Sequence, residues 1–134
     1  MTLYLDASAL VAAQVATPAR AVVLAAMDAD PRWCTSALSL TEALAMVDRL
    51  LEEPVVRQDL EDQLRLLWDR LWVIPLDQRC LDRAADLARE QPVRLADALH
   101  LAAADRLPRP VQFVTLDPAH IPVALSLGFD VVSS

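Results

Sequence analysis

Val111-Gln112-Phe113-Val114-Thr115-Leu116-Asp117 is a short apolar run, rich in β-branched and aromatic residues, that stops on an acid. Thr2-Leu3-Tyr4-Leu5-Asp6 does the same. Runs of this length and composition read as strands. The chain between them has a helical period. Ser39–Glu52 aligns Leu40, Leu44, Val47 and Leu51 on one stripe, and Val55–Leu71 aligns Leu60, Leu64, Leu67 and Leu71. Helices are also expected over Ala7–Gln14, Pro18–Met27, Gln78–Glu90 and the alanine-dense Leu95–Arg106. A last short helix should begin near Pro122, because proline disrupts a helix interior, and end at Gly128, the lone glycine. Trp33–Thr35, Trp72–Leu76 and Asp130–Ser133 read as further short strands. Strands separated by helices predict an α/β sandwich of three layers, with a short, mostly parallel sheet and helices on both faces. At 134 residues the length suits a single domain, residues 1–134.

Composition narrows the function. All twelve basic residues are arginine, against nineteen acids, for a net charge of −7. The missing lysine excludes Walker-type phosphate binding and Schiff-base chemistry. It also argues against a phospho-accepting receiver domain and a haloacid-dehalogenase-like phosphatase, both of which need a lysine in the acidic pocket; the latter also needs an Asp-x-Asp after its first strand. An acidic chain is a poor general binder of nucleic acid, so any such role must rest on a local feature. The longest uncharged run, Ala7–Ala19, is too short to span a membrane. Cys34 and Cys80 have no metal-ligand spacing and read as buried thiols, as expected of a cytoplasmic protein. The first residues lack a basic secretory leader pattern.

In parallel sheets, ligands sit beyond the carboxyl ends of the strands. Asp6 and Asp117 fall there, where each could equally be a helix cap or turn residue. Asp97 projects with Leu101 and Ala104 toward the core, where an unpaired carboxylate is costly. It reads either as a capping acid paired with Arg94 or as a functional group. Glu42, in the first turn of its helix, suits the helix dipole and sits at the border of the apolar face. His120, in a proline-rich turn, is expected at the surface. His100, three residues after Asp97, is expected to have a structural role and to lie within reach of that acid.

Together these segments form a pattern: an apolar strand, Asp6-Ala7-Ser8-Ala9-Leu10, Thr35-Ser36, Glu42, Arg94-Leu95-Ala96-Asp97-Ala98-Leu99-His100-Leu101-Ala102-Ala103-Ala104, and Phe113-Val114-Thr115-Leu116-Asp117. The pattern resembles the PIN-domain ribonucleases and, within them, the VapC toxins of bacterial VapBC toxin–antitoxin pairs, over Thr2 to Ser134. The resemblance implies a PIN-like fold and a metal site of Asp6, Glu42, Asp97 and Asp117, with Ser8 propping the first acid and Thr115 beside the site. It implies an RNA substrate and a VapB-like antitoxin as partner. The segment Pro118-Ala119-His120-Ile121-Pro122 departs from the unbroken polar helix start usual in that family.

The chemistry suits those residues. Clustered carboxylates repel, so a hard divalent cation is expected among them: Mg²⁺, with Mn²⁺ also suited to oxygen ligands. By the same repulsion, removing one acid should not lower the stability of the metal-free protein. With the four acids set aside, fifteen remain against twelve arginines. The arginines can then form a phosphate-binding rim, for which Arg94 is the best placed unless it pairs with Asp97. The reading is a metal-dependent endoribonuclease toxin; a housekeeping RNA-processing nuclease and an inactive PIN-like binding module are the alternatives. Met46, Leu50, Leu66 and Trp68 lie off the main helical stripes, and this surplus apolar surface, like the resemblance, predicts a homodimer.

Overall fold

Both acid-terminated runs are strands in the computed structural model, which describes residues 1–134. In chain order the elements are β1 (Thr2–Leu5), α1 (Ala7–Ala12), α2 (Pro18–Ala29), β2 (Trp33–Ser36), α3 (Ser39–Leu50), α4 (Pro54–Trp68), β3 (Trp72–Ile74), α5 (Gln78–Glu90), α6 (Leu95–Asp105), β4 (Val111–Val114), a 3₁₀ turn (Pro118–His120), α7 (Ile121–Ser126) and β5 (Asp130–Val132).

The five strands form one sheet in the order β3-β2-β1-β4-β5, every pair parallel. The α/β sandwich expected from the sequence is the fold. The chain winds outward from β1 through β2 to β3, then returns to place β4 on the other side of β1. The strand order therefore reverses between β1 and β4, where Leu5 is in register with Val114. Such a reversal leaves a crevice at the carboxyl ends of the two central strands.

Side chains alternate across β1, as the pleat requires. Leu3 and Leu5 join a core with residues of α1, α2, α3 and α4, while Tyr4 faces a second core with α5, α6 and α7. Ala102, Ala103 and Ala104 have no exposed surface. Their small side chains let α6 lie close on the sheet, which carries Asp97, two turns earlier, to the carboxyl ends of the central strands. Leucine-sized groups there would overpack the contact at a cost of about 1–3 kcal/mol each.

The ends are set by local chemistry. Glu53 caps α4 by accepting from the Val55 and Val56 amides at 3.1 and 2.7 Å, ahead of Pro54 in the first turn, where its missing N–H costs nothing. Asp77 caps α5 through the Cys80 amide at 3.0 Å. Gly128 takes φ +82°, letting the Phe129 amide reach back to the Ala124 carbonyl at 3.1 Å and close α7.

Most elements end one to three residues away from the sequence reading, and three of the differences lie in the elements that flank Asp6 and Asp117. The strand expected over Val111–Leu116 ends at Val114, because the Leu116 amide leaves the ladder to bond the Ser8 hydroxyl. Helix α1 stops at Ala12 rather than Gln14. The last helix does not start at Pro122: a 3₁₀ turn over Pro118–His120 runs straight into α7 at Ile121, with Pro118 and Pro122 both in first turns where proline is tolerated. Both cysteines are buried and free. No helix is long and apolar enough to cross a membrane. Of the apolar residues off the stripes, Leu50 and Leu66 are more than half exposed, whereas Met46 and Trp68 are half-buried.

Candidate active site

Asp6 begins α1 directly after β1, and its carboxylate does two jobs at once. Oδ1 caps the helix by accepting from the Ala9 amide at 2.9 Å and from the Ser8 hydroxyl at 2.6 Å. Oδ2 faces the crevice and meets Nδ1 of His120 at 2.8 Å. The capping reading of this acid holds for one oxygen, while the other is left facing the cleft. Ser8 also accepts from the Leu116 amide at 2.9 Å, so it ties the end of β1 to the turn after β4.

Asp117 repeats the arrangement. Its Oδ1 caps the 3₁₀ turn through the Ala119 amide at 3.0 Å, and its own amide donates to the Thr115 hydroxyl at 3.0 Å. Its Oδ2 lies 3.8 Å from Nε2 of His120. Asp97, in the first turn of α6 and buried, accepts from that same Nε2 at 2.6 Å. Arg94 spans the mouth, with Nε 3.5 Å from Asp97 and a terminal nitrogen 3.8 Å from Asp117, and its side chain is 80% exposed. It both pairs with Asp97 and lines the cleft.

The sequence reading placed His120 at the surface; it is buried, at the centre of the acids. The 3₁₀ turn that replaces the expected break swings its ring inward. Burial alone disfavours the charged ring, but the hydrogen bonds and charges of Asp6 and then Asp97 outweigh it and raise the pKa to about 9. Burial pushes Asp6 upward, but His120, Ser8 and Thr115 together hold its carboxyl below the usual range. The sequence reading leaves the repulsion among these acids to a cation; the chain itself also sets the His120 ring between Asp6 and Asp97, so removing either acid takes a hydrogen-bond partner from a buried imidazole.

Glu42 stands across the cleft on α3 and pairs with Nε2 of His100, whose Nδ1 accepts from the Tyr4 hydroxyl at 2.7 Å. His100 thus reaches Glu42 rather than Asp97. Burial pushes the Tyr4 phenol well above its usual range, against hydrogen bonds from Ser36 and Ser39, so it stays a neutral donor. A buried relay therefore runs from the sheet to the rim of the cleft. Thr35 anchors the same wall, donating to the Leu5 carbonyl at 2.6 Å.

All four acids named from the sequence line one cleft of about 500 Å³, with Ser8 and Arg94; Thr115 lies buried just behind it. His100, His120 and Arg49 also line it. The signal for His100 was its i+3 offset from Asp97 on one helix, and for His120 its three-residue offset from Asp117. A second groove, of about 570 Å³ beside β3 and Trp72, has no carboxylate in its wall.

A family model described as the PIN domain matches residues 3–119. The chain belongs to the PIN domain family. The two carboxylates that follow β1 and β4, Asp6 and Asp117, lie just inside the two ends of the matched region. Solved structures share this PIN fold at low identity. One is FitAcB from Neisseria gonorrhoeae, with TM-score 0.75 and 17% identity, covering 98% of this chain and 96% of that one. Another is a toxin–antitoxin complex from Klebsiella pneumoniae, with TM-score 0.69 and 18% identity, covering 92% of each chain. A third is VapBC-5 from Mycobacterium tuberculosis, a member of the VapBC family of toxin–antitoxin systems, with TM-score 0.67 and 18% identity over the full length of both. No curated protein sequence matches this PIN domain significantly.

Ligand atoms of Asp97, Asp117 and His120 lie within 4.8 Å of one another. That donor set fits a divalent cation, whose ligands are oxygens or neutral imidazole nitrogens.

Proposed function

We propose that this PIN domain is a cytoplasmic, metal-dependent endoribonuclease that acts as a VapC-type toxin and is silenced by a small VapB-like antitoxin. One observation carries the reading. Asp6, Asp97 and Asp117 converge with Glu42 at the crevice between β1 and β4, where the sheet reverses its strand order. The full-length fold likeness to chains from toxin–antitoxin complexes supports the toxin role.

Asp97 and Asp117 would hold the cation, Mg²⁺ or Mn²⁺, with Asp6 behind them and Glu42 at the rim. When bound it supplies a Lewis acid that activates water and neutralises charge on the leaving oxygen of a phosphodiester. The chain's own residues do the rest. Ser8 and Thr115 lock Asp6 and Asp117 in place. Arg94 and Arg49 offer planar cations at the mouth for flanking phosphates, so an acidic chain still has a local footing for RNA. Hydrolysis by water leaves a 5′-phosphate and a 3′-hydroxyl. Residues 1–134 act as one domain, paired as a homodimer through the exposed Leu50 and Leu66 surface.

The test is sequencing of RNA 5′ ends after induced expression of wild type and Asp97→Asn. Asparagine keeps a hydrogen-bonding oxygen toward His120 while removing the charge. Discrete 5′-phosphorylated ends in wild type alone are expected. Identical end profiles in the two strains would overturn the nuclease assignment.

A further inference from the structure

His120 is the residue of this cleft that an all-carboxylate site does not need. Its ring is buried and clamped from both sides. Nδ1 faces Asp6 Oδ2 at 2.8 Å, and Nε2 faces Asp97 Oδ1 at 2.6 Å and Asp117 Oδ2 at 3.8 Å. Adjacent ligands on an octahedral ion with bonds near 2.1 Å stand about 3 Å apart. The two Nε2–oxygen separations bracket that spacing. Asp6 is committed elsewhere: one oxygen serves the Ala9 amide and Ser8, and the other serves the ring. A carboxylate behind the far nitrogen of an imidazole fixes the tautomer and aims the near nitrogen's lone pair at a metal.

We propose that His120 is itself a metal ligand, so that the site is built from Asp97, Asp117 and His120 Nε2 with Asp6 orienting the ring, and that it selects a first-row transition ion over Mg²⁺. The inference rests on the metal-dependent reading above and deepens it. Mg²⁺ strongly favours oxygen ligands and gains little from an imidazole, whereas first-row transition ions accept nitrogen and oxygen together. A metal ligand needs Nε2 deprotonated, so binding would release to solvent any proton that nitrogen carries. The second imidazole, His100, turns its Nε2 to the single carboxylate of Glu42, whereas His120 Nε2 faces both Asp97 and Asp117, which singles out His120 as the nitrogen donor of the cleft.

Mn²⁺ is the probe, because its spin reports directly bound nuclei. Electron spin-echo modulation of the Mn²⁺-loaded protein should show one coupled ¹⁴N. Growth on ¹⁵N-histidine should convert it to ¹⁵N coupling in the unmutated chain, free of any folding effect. His120→Asn should lose the coupling and His100→Gln should keep it. By calorimetry, wild type should bind Mn²⁺ about tenfold or more tighter than Mg²⁺, and His120→Asn should narrow that ratio toward one. Mn²⁺ bound with no nitrogen coupling, in a manner that Asp97→Asn abolishes, would overturn the role of His120 while leaving the metal site standing. A wild-type protein that binds neither ion would overturn both.

Discussion

Replacing His120 by asparagine should remove most of the pH dependence of stability of the metal-free protein on the alkaline side. The ring's pKa is about 9 in the folded chain, against 6.5 for an ordinary histidine. A pKa raised by folding contributes stability that is fully present below the unfolded value and is lost as pH rises through the folded one. The window is therefore about pH 6.5 to 9. The difference of two to three units corresponds to about 3 kcal/mol, and most of it is still present at pH 7. With the ring 5% exposed, solvent screening takes little from that figure. The depressed Asp6 carboxyl reports the same ion pair from the acid side, so it is not counted twice. For a chain of this size, about 3 kcal/mol is on the order of 10 °C in Tm. The assay is thermal melting in EDTA from pH 6 to 10. Cys34 and Cys80, whose thiols burial pushes up, add their own alkaline destabilisation, but to both proteins alike. The wild-type curve should fall toward that of His120→Asn as pH rises and meet it near pH 10. Parallel curves would mean that the ring is not held as a cation between Asp6 and Asp97.

Tyr4→Phe should leave His100 Nδ1 buried without its donor and lower the urea midpoint by about 1–3 kcal/mol equivalent, with the slope unchanged; an unmoved midpoint contradicts the relay. Light scattering should give a wild-type mass of twice 14.7 kDa, and Leu50→Glu or Leu66→Glu should shift it toward the monomer. A monomeric wild type at micromolar concentration rejects the homodimer.

Periodicity was enough for the architecture because each element has a single dominant pattern. The β1 and β4 runs are too short and too apolar to be anything but buried strands, and α3 and α4 repeat leucine at helical spacing. The ends resisted reading where a side chain overrides the pattern. Leu116 is apolar and continues the β4 run, yet the Ser8 hydroxyl captures its amide from across the crevice. No local rule announces a partner so far away in sequence. Asp6 and Asp117 were picked out because a position at a strand end is a topological property, whereas Asp97 was marked by its inward helix face and Glu42 by the family resemblance alone. The histidines were not, because a histidine's place depends on what faces it. Proline at 118 and 122 suggested an exposed, broken turn around His120. Both prolines are instead absorbed at first-turn positions, and the intact turn points the ring inward.

That inward turn explains how so acidic a crevice can fold before any cation arrives. Each carboxylate meets a partner on the chain itself: Asp6 and Asp97 share His120, Glu42 meets His100, and Arg94 stands over Asp97 and Asp117. Sites whose metal is their sole source of cohesion are unfolded without it. Here the helix caps at Asp6 and Asp117 and the Tyr4–His100–Glu42 relay hold the geometry from the sheet outward, whatever occupies the centre. On the proposed metal site the cost would fall on binding: an entering ion would have to take over the partners of His120. Affinity would thus be exchanged for a preformed site, and under the proposed ligation by His120 the exchange would favour an ion that keeps the imidazole as a ligand over one that must expel it.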